Sequence, residues 1–151
     1  MLRDLQSFEV NVNAQCKATT AVKRGTFVQI NEVTKVFGLP TQIIDLFIAD
    51  KDMEVTKSTA MGEPYSEYDA DQELIKVGEF AGLIAVQKGV RKATSEYVIT
   101  DALGVADAYL TVGTEVGVNA GKLITSATAT NIKSLGFITD NFQKLLGFRI
   151  V

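Results

Sequence analysis

Apolar and polar residues alternate in short runs along most of this chain, and few stretches carry the three-to-four spacing of a helix face. Phe8, Val10 and Val12 alternate with Glu9, Asn11 and Asn13, the pattern of a half-buried strand. A strand is expected over Thr26 to Asn31 behind a Gly turn. A nearly continuous apolar run from Gln42 to Ala49 suits a strand covered on both faces. Met53 and Val55 flank a shorter alternating piece, and Leu74 to Val77 reads as a strand or one helical turn. Phe80 to Gln87 is expected as a buried strand and Tyr97 to Thr100 as a short one. Ala108 to Val112, Glu115 to Val118 and Lys122 to Thr125 read as consecutive strands split by Gly113 and by the turn Asn119-Ala120-Gly121. Near the C-terminus, Thr139-Asp140 before Asn141 to Leu146, with Gly147 after, predicts one short helix, capped at both ends. Phe148 to Val151 is expected to close the sheet.

The fold class that follows is mainly β. It is a single compact β-barrel or sandwich-like domain over residues 16–151, preceded by Met1 to Gln15 as an extended N-terminal arm or as the domain's own first strand. Val, Ile and Thr, 42 residues together, supply the β-branched material for this reading. The segment Ser58 to Asp71 breaks the pattern with Gly62, Pro64 and scattered polar residues, and is expected as an exposed loop. One heptapeptide recurs: Gly25-Thr26-Phe27-Val28-Gln29-Ile30-Asn31 and Gly113-Thr114-Glu115-Val116-Gly117-Val118-Asn119 share G-T-x-V-x-[I/V]-N. Two hairpins converging on common turn chemistry would produce such a match, and hairpins are expected at both places.

Composition narrows the chemistry. The 151 residues contain no His, which excludes Ser-His-Asp and Cys-His catalysis, His-bearing zinc sites and His-based pH switching. A net charge of -3 provides no basic field for nucleic acid, and the basic pairs Lys23-Arg24 and Arg91-Lys92 read as solvated turns. Trp is absent and aromatics reach 8%, little material for stacking bases or sugars. The single cysteine, Cys16, cannot form an intrachain disulfide and reads as a small filler. No apolar run reaches bilayer length and no signal peptide is expected, so a cytosolically made soluble protein is expected.

Candidate motifs fail on detail. Gly117 to Lys122 is one residue short of a phosphate loop, and Leu123 stands where Ser or Thr must hold magnesium. Asp69-Ala70-Asp71-Gln72-Glu73 starts like a calcium loop, but its sixth and twelfth positions are Leu74 and Phe80 rather than Gly and Glu. No catalytic, cofactor-binding or metal-binding residue is therefore assigned, and no enzyme is expected.

The arrangement of Val22 to Asn31 (V-K-R-G-T-F-V-Q-I-N), Val77 to Val86 (V-G-E-F-A-G-L-I-A-V), Arg91 to Val98 (R-K-A-T-S-E-Y-V) and Leu110 to Leu123 (L-T-V-G-T-E-V-G-V-N-A-G-K-L) resembles the small β-rich decoration, or cement, proteins of tailed bacteriophages. The resemblance implies a barrel-like β domain, often trimeric, on the outer surface of the capsid. Its partner would be the major capsid protein, with no nucleic acid, membrane, cofactor or metal. Two other readings stay open: a tail or head-to-tail joining component, and a β-barrel module binding a small ligand or glycan through a loop carrying Tyr65 and Tyr68.

Overall fold

A computed structural model describes residues 2–4, 11–12, 16–42, 45–51, 74–100, 112–126, 135–142 and 145–151. Every regular element among them is a strand: β1 (Leu2–Asp4), β2 (Asn11–Val12), β3 (Lys17–Ala18), β4 (Val22–Lys23), β5 (Phe27–Asn31), β6 (Val36–Gly38), β7 (Leu46–Asp50), β8 (Leu74–Ile75), β9 (Gly82–Ala85), β10 (Arg91–Thr94), β11 (Tyr97–Thr100), β12 (Glu115–Asn119), β13 (Lys122–Ser126), β14 (Gly136–Phe142) and β15 (Leu145–Ile150). The fold is mainly β and barrel-like, with a sheet curled into a half-barrel.

The strands form a six-stranded sheet in the order β2-β9-β7-β5-β6-β3, a seven-stranded sheet in the order β1-β10-β15-β14-β12-β13-β11, and a β4-β8 ribbon. The order repeats. With β1 set aside, each large sheet takes six strands of its half of the chain and arranges them in the same sequence. The pairing senses repeat too. β3 runs parallel to β6 as β11 does to β13, and every other adjacent pair in both sheets is antiparallel.

The shared heptapeptide sits at the same place in both halves. Gly25 and Gly113 each have a φ of 92°, a left-handed backbone that a side chain strains. The Gly25 N–H donates to Ala49 O while the Ala49 N–H donates to Thr26 O. Likewise the Gly113 N–H donates to Ile138 O while the Ile138 N–H donates to Thr114 O. Two residues opposing one behind a left-handed Gly is a G1 bulge, and it launches β5 and β12 alike. Each heptapeptide then turns back as a hairpin, β5-β6 and β12-β13.

Alternation along the strands decides what is buried. Phe27, Ile48 and Ile84 lie on one face of the six-stranded sheet and meet Val116, Leu123, Ile138, Leu146, Phe148 and Ile150 of the seven-stranded sheet. The Phe27 and Phe148 rings cross that boundary with centroids 5.8 Å apart. The other face of the six-stranded sheet, with Val28, Ala49 and Leu83, forms a second core closed by Cys16, Val22, Ile75 and Ala81. That sheet is therefore covered on both faces, as the continuous apolar run before Ala49 predicts.

Several expectations need correction. The helix over Asn141 to Leu146 is not formed: Gly136–Phe142 and Leu145–Ile150 are the strands of a hairpin. A lone helix of two turns is marginal in water, whereas the strand pattern buries Leu146, Phe148 and Ile150 on one face and gives the backbone a partner on each side. The N-terminal arm is not supported either, since β1 pairs with β10, β2 pairs with β9, and Leu2 is buried in the core. Arg91-Lys92 is no solvated turn. It begins β10, and Lys92 is only 1% exposed. Phe80 is 60% exposed, so the strand expected from Phe80 shortens to Gly82–Ala85. Met53, Val55, the loop Ser58 to Asp71 and most of Ala108 to Val112 lie outside the described residues.

Candidate interaction edge

The residues singled out for chemistry are dispersed. Cys16 is a free, buried thiol, and burial pushes its pKa up, with a smaller push from the Glu32 carboxylate. Such a thiol is a poor nucleophile at neutral pH. Lys23 is exposed, and Arg24 pairs through Nε with Asp50. Arg91 pairs with Asp140 at 2.9 Å. Gly117 to Lys122 forms the turn end of the β12-β13 hairpin, as its turn chemistry predicts, with Ala120 and Gly121 at positive φ. Asp69 to Glu73, Tyr65 and Tyr68 lie outside the described residues. Among the described residues no three His, Cys, Asp or Glu side chains stand together as a metal site would require, and no helix is long and apolar enough to cross a membrane.

What the described surface does offer is main chain. β3 and β11 hold equivalent positions at the ends of the two large sheets, and they are treated differently. On β3, the Ala18 N–H donates to Glu79 O and the Gly78 N–H donates to Ala18 O, while Lys17 and Phe80 form an antiparallel bridge. A short antiparallel segment, 78–80, thus closes that edge. The Lys17 ammonium lies 5.3 Å from the centre of the Phe80 ring and steadies the same contact. Glu79 holds the segment's turn by accepting from the Lys76 N–H at 2.8 Å. That bond sets its carboxyl below the ordinary range, with Lys51 adding to the effect.

Among the described residues, β11 has one neighbour, β13. Its start is well anchored. The Leu123 N–H donates to Glu96 O, buried Glu96 faces the Lys122 ammonium at 3.7 Å, and Tyr97 packs against the core. Val98, the next residue, points away from the core and is 41% exposed. A strand with a single neighbour among the described residues and an exposed β-branched residue is suited to receive an extended segment by strand addition. Sequence reading missed this edge, because Tyr97 to Thr100 looks the same whether one or two strands flank it. The paired heptapeptides align β5 with β12, but only the strand order and registers equate β3 with β11.

No protein-family model and no curated protein matches the chain.

Proposed function

We propose that this chain is a structural virion protein that decorates a tailed-phage head and stabilises it by binding the major capsid protein lattice from outside. The observation that carries the reading is the place of β11 at the end of its sheet with one neighbour among the described residues, whereas its counterpart β3 is closed by an antiparallel segment of the same chain. A cement protein needs affinity without a deep pocket, and main-chain pairing along a sheet edge provides it. The β-rich, Gly-punctuated fold agrees with the sequence resemblance. Self-association on the lattice belongs to the same reading.

The test is co-sedimentation of the full chain with emptied, expanded heads assembled from its cognate capsid protein. Wild-type protein is expected in the pellet at saturable stoichiometry. Val98→Lys, which puts a charge on the exposed edge, is expected to weaken binding about tenfold or more while leaving the circular dichroism spectrum unchanged. Wild-type protein that stays in the supernatant overturns the capsid role. Binding that Val98→Lys does not alter overturns the role of the edge.

A further inference from the structure

We infer that the chain is a tandem duplication of one six-stranded unit, stacked front to back, and that Glu115 and Arg149 terminate the stack. The correspondence extends from strand order to single residues. Counting from the two bulges, Val28 answers to Val116 and Ile30 to Val118. Through the registers, Phe37 answers to Leu123, Ala49 to Ile138, Leu83 to Phe148 and Ala18 to Tyr97. The members from the first half line one core, and those from the second half line the other. Asp50 opposite Gly82 answers to Asp140 opposite Gly147. Convergent turn chemistry accounts for a shared hairpin. It does not account for a shared parallel edge strand, a shared bulge and equivalent inward positions on five strands.

The two units do not pack inner face to inner face. The inner face of the second unit, with Val116, Ile138 and Phe148, lies on the back of the first unit's sheet, with Phe27, Ile48 and Ile84. The first unit's own inner face is closed instead by Val22 of β4, Ile75 of β8 and Ala81. Front-to-back stacking is heterologous, and without a stop it continues into an open array. The stop is legible one unit along. The row Phe27, Ile48, Ile84 becomes Glu115, Phe137, Arg149 on the back of the second sheet, in the same register. Glu115 and Arg149 are exposed and charged where their counterparts are buried and apolar. Phe137 between them is half-buried, so the outer row carries a charge at each end, and a charged outer row on the last unit is what keeps a stack finite.

The test installs first-unit identities in the second unit of the full chain. Because Glu115 and Arg149 are exposed, the double variant Glu115→Phe/Arg149→Ile is expected to fold, with a melting temperature within about 5 °C of wild type in dilute solution. In sedimentation velocity it is expected to self-associate with rising concentration, whereas the polar control Glu115→Gln/Arg149→Gln sediments as wild type does. A double variant that sediments like wild type at every concentration overturns the stop. Interstrand NOEs that give the two sheets different strand orders, or that run β11 antiparallel to β13, overturn the duplication.

Discussion

Gly121 brings the second half of the chain into close contact with the first. Its φ of 78° is left-handed, and a Cβ there would stand 2.6 Å from Thr26 Cγ2 and 2.8 Å from Phe27 O. The reason for the approach is a hydrogen bond: the Phe27 N–H donates to Gly121 O at 2.8 Å, so the β12-β13 turn lies against the start of β5. Gly121→Ala combines backbone strain with a clash against main chain and is expected to cost about 2–4 kcal/mol in chemical denaturation. A cost below about 0.5 kcal/mol would refute the contact. Glu79 gives a pH-dependent counterpart. Its folded pKa is lowered, chiefly by the hydrogen bond from the Lys76 N–H and further by Lys51, so its contribution is present above the unfolded value near 4.5 and lost as pH falls through the lower folded value. Acid titration followed by amide exchange at Gly78 should show the 78–80 segment loosening in that window. Glu79→Gln should remove this pH dependence, and an identical profile in wild type and variant would exclude the mechanism.

At the scale of elements, the β14-β15 hairpin shows how pairing overrides local punctuation. Thr139-Asp140 and Gly147 carry helix-cap chemistry, yet Asp140 and Gly147 face each other across two strands, with Gly147 leaving room for the Asp140 side chain. Thr139 is the extra residue of an irregularity between Ile138 and Asp140, so a residue suited to capping a helix instead shifts a register. Phe148, fully buried opposite Ile138 and in ring contact with Phe27, anchors the hairpin. Phe148→Ala is expected to cost about 3–5 kcal/mol of stability, measured by urea unfolding. A helix in this segment would place Phe148 beyond its end and make the substitution mild. The sequence made legible what depends on neighbours: the bulge glycines, the two hairpins, the alternation of β5, β12 and β13, and the double coverage of β7. Pairings across distance were not legible, because the halves diverge on their back faces, where Phe27 answers to Glu115 and Ile84 to Arg149. Nor was the edge status of β11. A single apolar pattern is compatible with either one or two flanking strands.

At the scale of the whole molecule, the question is whether two stacked units unfold as one body. β1 belongs to neither repeat in order, yet it pairs antiparallel with β10 and buries Leu2 among residues of both sheets. The Thr94 hydroxyl donates to Gly25 O at 3.2 Å, adding a second buried tie. The shared core holds Phe27, Leu46, Ile48 and Ile84 from one unit and Val116, Leu123, Ile138 and Phe148 from the other, so separating the units exposes large apolar side chains of both. At about 1.5–3 kcal/mol for each large apolar side chain taken out of water, eight of them hold about 12–24 kcal/mol, as much as or more than a domain's usual net stability of about 5–15 kcal/mol. Neither unit should therefore survive loss of the other. Cys16 reports on the first unit's own core, and amide protection in β14 and β15 reports on the second. Thiol labelling of Cys16 along a urea series and loss of exchange protection in β14 and β15 are expected to share one midpoint. Leu2→Ala should move both together, by about 2–3 kcal/mol of stability. Two separated midpoints, or a Leu2→Ala shift confined to the β10 side, would mean that the units are joined by the chain but not by a common core.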